Sequence, residues 1–275
     1  MSRTSQAAKS ASAWGPSELN KFRINVISED STTLFGGPLP DPLSVRPEIL
    51  TTPSYRDVPP GDRHLLLFLR SMEAASSTGK HERDVNNFTP QLLYEHGYLD
   101  KSRDEIMVRG KPDIEFDMCG ESKHAIVDFV IEDLYTGIVL LVQENKRAGG
   151  PGGGTRGTPE AQLIAEAIAA FSQNNRIRRM CGDDPLDRQT IPGIQLTGTY
   201  PTFYKVTVTE ALVRAIREGT DPDEETIVYA HCPDLAAHTT RNLVDQGMMV
   251  SESRRIISSS FVAFKQFLPH LQGNY

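Results

Sequence analysis

AIVDFVIEDLYTGIVLLVQENKR, residues 125–147, decides the fold. Two apolar runs, Ala125 to Glu132 and Ile138 to Arg147, flank a short connection whose ends, Asp133 and Gly137, are turn formers. The segment reads as a hairpin of buried strands. Asp113 to Cys119 reads as one more strand before them, so the centre of the chain is a three-stranded β-meander. Charges interrupt the apolar runs where burial would ordinarily forbid them. Asp128 sits inside AIVDFVI, and Glu144 and Lys146, two positions apart on the last strand, project from one face. Asp128 lies shortly before the turn and Glu144 shortly after it, which makes them cross-strand or diagonal neighbours. Two converging carboxylates form a hard-oxygen site of the kind Mg²⁺ prefers. Taken alone, Glu144 and Lys146 also read as an ion pair at a strand exit.

Outward from the hairpin, the spacing predicts helices on both sides. DRHLLLFLRSM (62–72) and HERDVNNFTPQLLYEHGY (81–98) precede it, the second with Pro90 inside, which predicts two short helices or a kink. After it, the glycine-rich AGGPGGGTRGT (148–158) lacks the GK[ST] ending of a phosphate loop. PEAQLIAEAIAAFSQNNRI (159–177) then opens with Pro159 and Glu160 and buries a stripe of Ile164, Ile168 and Phe171. The remainder predicts a strand pair over 193–209, a helix over 209–219, a strand over 225–233 and a closing helix over 253–268. With no internal repeat, this order is that of an α/β (α+β) domain with a mixed sheet, residues 61–275. Residues 1–60, rich in Pro, Ser, Thr and Gly, read as a flexible arm.

The placement of Asp128 and of the Glu144-Asn145-Lys146 triplet, in this element order, resembles the PD-(D/E)XK nuclease superfamily. The runs LLVQENKR and PEAQLIAEAIAAF further resemble a fungal group within it. The resemblance implies a restriction-endonuclease-like αβββαβ core and Mg²⁺-dependent hydrolysis of phosphodiester bonds in nucleic acid, DNA favoured, with Mn²⁺ able to substitute. It assigns Asp128, Glu144 and the backbone carbonyl of Asn145 to the metal, and Lys146 to the attacking water or the developing phosphorane. Glu82 would help hold a second metal, and Gln162 would position the backbone or a ligand water. Glu166 stands where RecB-like members of the superfamily carry a tyrosine. A literal Pro-Asp occurs at Pro112-Asp113, but it opens the first strand, so Asp113 is expected outside the site. The rival reading is a nuclease-fold module without catalysis, binding nucleic acid or a protein and keeping Asp128, Glu144 and Lys146 as a structural ion cluster.

Composition narrows the partners. The net charge of −7 excludes a whole-surface positive field, so a nucleic-acid surface must be local. Arg147, Arg156, Arg176, Arg178 and Arg179 supply a candidate patch. No run approaches the roughly 18 apolar residues of a membrane span, and MSRTSQAAKSASAW lacks the apolar core of a secretory signal. Cys119, Cys181 and Cys232 are scattered and odd in number, which fits a reducing, cytoplasmic or nuclear setting rather than a disulfide framework. A homodimer is compatible with all of this. His231-Cys232, the aromatics Tyr200, Phe203 and Tyr204, and Met248/Met249 read as core.

Overall fold

The computed structural model describes residues 7–76, 81–99, 106–146, 157–235 and 247–268. In chain order they form α1 (Pro16–Lys21), β1 (Ile24–Ser28), α2 (Ser31–Phe35), α3 (Pro47–Thr51), α4 (Arg63–Ser76) and α5 (Glu82–Glu95). Then come β2 (Ile106–Gly110), β3 (Asp113–Met118), β4 (Glu121–Ile126), β5 (Phe129–Asp133) and β6 (Val139–Lys146). The chain continues through α6 (Pro159–Cys181), β7 (Arg188–Thr197), β8 (Tyr200–Thr209), α7 (Glu210–Glu218), β9 (Thr226–His231) and α8 (Ser251–Phe264). Seven strands make one mixed sheet in the order β1-β9-β8-β7-β6-β5-β2, and β3 and β4 pair separately. Among the described residues no helix is long and apolar enough to cross a membrane.

The hairpin forms as its sequence dictates. Asp133 Oδ1 accepts from the N–H groups of Tyr135 (3.1 Å) and Thr136 (2.7 Å), and Gly137 takes the left-handed conformation, φ 71°, that closes the turn. β6 is buried along nearly its whole length, as a strand flanked by neighbours and covered on both faces must be. It runs antiparallel to β5 and parallel to β7, so α6 is the crossover that returns the chain. Thr158 caps α6 by accepting from Ala161 N–H at 3.3 Å, and Gly182, φ 85°, ends it.

Strand alternation sorts the two faces. Val130, Val142 and Tyr204 pack with Leu163, Ile164 and Ala167 of α6, whereas Ile131, Leu141, Ile194 and Phe203 pack with α4, α5 and α8. α6 lies so close to β7 that a Cβ on Gly193 would come 2.7 Å from a Leu163 methyl.

Three expectations need correction. The N-terminal sixty residues are not a free arm: from residue 7 they are part of the fold. β1 is an edge strand of the sheet, parallel to β9 from Ile24↔Thr226 to Ser28↔Ala230. Trp14 and Phe22 are fully buried and stacked at 5.8 Å, with Phe116 edge-on to Trp14 at 6.4 Å. Prolines and serines mask a handful of large apolar anchors, and burial of those anchors outweighs the composition. Trp14→Ala should therefore cost about 3 kcal/mol of unfolding free energy in urea titration. A flexible arm would give no change.

The meander is also composed differently. Asp113–Met118 pairs with β4 outside the main sheet, and Ile106–Gly110 supplies the third strand beside β5. The predicted strand over 125–132 is divided: Ile126 ends β4, Phe129 begins β5, and Asp128 stands in the link between them. Pro90, finally, does not split its helix, which runs unbroken from Glu82 to Glu95.

Candidate active site

One step beyond the Phe129↔Gln143 pair of the β5–β6 ladder, Asp128 comes opposite Glu144, both on the face covered by α6. The Asp128 carboxylate is anchored twice. Its Oδ2 accepts the backbone N–H of Asn145 at 2.8 Å, and its Oδ1 pairs with the ammonium of Lys111. Glu144 is paired with Lys146 on the same strand. A third carboxylate joins them from α6: Glu166 is fully buried, and Gln162, one turn earlier, donates to its Oε1 at 2.9 Å. Asp128, Glu144 and Glu166 are 3%, 2% and 0% exposed, so any charge they carry lies in a medium that screens it poorly.

Electrostatics follow from that burial. Glu144 is pushed up to about 7, chiefly by desolvation and then by the Asp128 charge, against the pull of Lys146. Glu166 is raised well above the usual carboxylate range by its complete burial and by Glu144. A proton on Glu166, shared with Glu144, relieves the repulsion between them. Burial works against the charged form of Lys146 and of Lys111. The nearby carboxylates outweigh it, and both ammoniums are held above the usual lysine range. Glu82, exposed at the first residue of α5, adds to the field on both lysines.

Behind the site, on the opposite sheet face, a polar network holds β6 to α5. The Asn145 side chain accepts from Gln143 at 2.6 Å and from Thr89 at 3.0 Å, and donates to Asn86 at 2.6 Å. Its amide is thus committed, and only its backbone faces the carboxylate side. This network fixes the strand end that carries Glu144 and Lys146.

The metal question turns on unfilled acceptors. Glu144 Oε2 and Glu166 Oε2 are buried and have no hydrogen-bond partner among the described residues. Side-by-side unpartnered carboxylate oxygens require a proton or a cation. Among the described residues no group of three or more His, Cys, Asp or Glu side chains is placed to hold a metal ion. The hard-oxygen donors that remain are two carboxylates, Asp128 and Glu144, with the Asn145 carbonyl, and Mg²⁺ is held by such sets with water completing its shell.

No family model and no curated protein matches this chain.

Of the residues expected in the site, Asp128, Glu144 and Lys146 are brought together, Gln162 reaches it through Glu166, and Glu82 acts from its rim. Asp113 lies outside, exposed on the β3–β4 hairpin and bonded to His124 at 2.9 Å. The arginine patch is elsewhere. Arg176, Arg178 and Arg179 stand about 15–20 Å along α6 from Glu166, by helical rise. There Arg178 donates to the Asp184 carbonyl at 2.7 Å and Arg176 to that of Glu115 at 3.5 Å. They serve the helix C-terminus and the β3 backbone. Arg147 and Arg156 lie outside the described residues. His231 is core, its Nδ1 bonded to the Glu29 carbonyl at 2.9 Å, and Phe203 and Met248 are fully buried.

Two residues of the cluster were not foreseen, Glu166 and Lys111. An acid inside the apolar run LIAEAIAAF signals Glu166 by the same logic that singled out Asp128. Lys111 carries no such signal, because its position depends on a turn in which it takes φ 54°.

The raised carboxyls give metal-free stability a definite pH slope. Between 4.5 and about 7 folded Glu144 holds a proton that the unfolded chain has released, and Glu166 acts in the same direction. Stability is therefore fullest below this window and falls as pH rises through it. Melting temperatures across the window in EDTA should decline toward neutral pH, and Glu144→Gln should flatten the decline. A rising profile would contradict the assignment.

Proposed function

We propose that the chain is a metal-dependent phosphodiesterase of the restriction-endonuclease-like class, hydrolysing nucleic acid with DNA favoured. The observation that carries this reading is the convergence of the buried Asp128 and Glu144 carboxylates on one sheet face, with Glu166 behind them and a lysine paired to each. The path α5, β2, β5, β6, α6, β7 supports the αβββαβ core, with β3–β4 as an inserted hairpin.

Asp128, Glu144 and the Asn145 carbonyl would hold Mg²⁺, which supplies Lewis acidity and lowers the pKa of bound water. Lys146, about a quarter exposed, reaches from the cluster toward solvent, where it orients the attacking water and balances charge growing on the phosphoryl oxygens. Gln162 fixes the rotamer of Glu166, and Glu166 holds the proton that keeps Glu144 from full repulsion. The Asn86–Thr89–Gln143–Asn145 network keeps the strand end rigid behind them. The test is incubation with plasmid, linear and single-stranded substrates in Mg²⁺, Mn²⁺ or EDTA. Cleavage abolished by EDTA supports the reading, and cleavage unaffected by EDTA refutes the metal dependence.

One observation favours the second reading, a nuclease-fold binding module without catalysis. Lys111 already occupies Asp128 Oδ1, and Lys146 already pairs with Glu144, so the cluster is partly neutralised without metal. Metal affinity separates the readings. If Lys111 competes with the ion for Asp128, Lys111→Met should tighten Mn²⁺ binding severalfold in calorimetry. In a purely structural cluster neither the original protein nor the variant binds Mn²⁺ measurably.

A further inference from the structure

On the face that carries Glu144, its ladder partner one strand over is Gln195 of β7. Adjacent strands lie about 5 Å apart, so Gln195 is the next side chain along the sheet from the carboxylates. It opens onto a cavity of ≈ 490 Å³ walled by α1, β1 and the first turn of α6. Gln195 Oε1 is buried with no donor among the described residues, and its Nε2 makes a long contact, 3.5 Å, to Thr197. The hydroxyl of Tyr204 donates to Glu160 Oε2 at 3.3 Å within the same lining. Burial holds the Glu160 carboxyl above its usual range against that hydrogen bond.

The chemistry of the walls selects the ligand. Among the described residues no Lys, Arg or His lines the cavity, and its one carboxyl, Glu160, disfavours an anion beside it. Leu19, Ile24 and Val26 offer apolar contact, while Gln195, Tyr204 and Glu160 offer directed hydrogen bonds. An apolar wall with a few convergent polar groups suits a neutral, flat, hydrogen-bonding group. The Glu160 carboxyl and the Gln195 amide suit a ligand that carries a donor such as an exocyclic amine or a ring N–H.

We propose that this cavity takes the nucleobase next to the scissile phosphate, with Gln195, Glu160 and Tyr204 reading its edge. The inference rests on the nuclease reading and adds to it a site of base recognition. The phosphate stays at the lysine-flanked carboxylates, and the base turns into the neutral cavity beside them. Amide and carboxyl side chains discriminate bases in this way because each base edge presents its own pattern of donors and acceptors.

Fluorescence anisotropy of the full chain in EDTA tests it, using single-stranded DNA and RNA oligonucleotides with one abasic position walked along their length. Loss of the base at one position should weaken binding about tenfold, with little change elsewhere. In the Gln195→Leu/Glu160→Gln double variant the intact strand should bind about tenfold more weakly, and that abasic position should no longer matter. Tyr204→Phe, which keeps the ring in the core, should shift affinity the same way by less and guards against misfolding of the double variant. If every abasic position costs alike, or the position-specific loss survives in both variants, the cavity is not a base site and the nuclease reading stands. Free nucleosides that compete as well as the strand would assign the cavity to a small molecule and overturn the proposal. If no oligonucleotide binds, the nuclease reading fails and this inference with it.

Discussion

Asp128→Asn should reduce nucleic-acid cleavage by on the order of 10³-fold, to background in an ordinary assay. The substitution removes one of the two carboxylates that would hold the ion and leaves the Lys111 ammonium without its partner. It also weakens a clamp on β6. An amide oxygen still accepts from the Asn145 N–H, but without the charge that strengthens the present 2.8 Å bond. Mn²⁺ affinity measured by calorimetry should fall together with turnover, since both depend on the same carboxylate. Asp113→Asn provides the comparison. Asp113 is exposed and bonded to His124, away from the carboxylate cluster, so cleavage by that variant should equal that of the unsubstituted chain. Equal loss from both substitutions would move the site to the β3–β4 hairpin.

Lys146→Ala should lower turnover by roughly 10²-fold with metal affinity and substrate affinity little changed. The ammonium sits beside Glu144 and within the field of Asp128 and Glu82, and that field keeps it charged at any working pH. A charge fixed in this place interacts most strongly with the phosphoryl group when negative charge has accumulated on it, which is the condition for acting on turnover rather than on binding. The competing role is structural: without Lys146, Glu144 is a buried carboxylate lacking its one ion-pair partner among the described residues, and stability falls. Single-turnover cleavage and thermal unfolding of the same purified variant distinguish the two. A large fall in melting temperature with cleavage per folded molecule preserved would make Lys146 a partner of Glu144 and nothing more.

How far the residues revealed their own arrangement depended on the range of the interactions involved. Asp128, Glu144 and Lys146 were legible because a charge inside an apolar strand must be compensated and strand alternation fixes which side it faces. Gln162 was legible as a helix position, but its role was not: it acts through Glu166, a side chain one turn away whose burial depends on how α6 settles on β6 and β7. Lys111 was illegible, since its approach to Asp128 depends on a turn between a half-buried edge strand and a separate hairpin. The same competition hid β2. IMVRG carries little apolar contrast with its polar neighbours, and the cleaner alternation of DIEFDM drew the strand assignment to a segment that pairs elsewhere. Pro90 misled for a different reason. Loss of one backbone donor is a local cost of a few kcal/mol, and burial of Val85, Phe88, Leu92 and Leu93 along one face offsets it.

The position of β1 at the edge of the sheet bears on how this chain can be cut and expressed. β9 carries Ile227, Val228 and Tyr229, and its outer row of backbone groups is paired with β1. A fragment beginning near residue 61, where composition invites a boundary, would leave that row open on an apolar strand. Strands bared in this way pair with one another between molecules, so the fragment should collect in inclusion bodies or elute as large assemblies. β1 thus acts as a cover against self-association as much as a part of the fold.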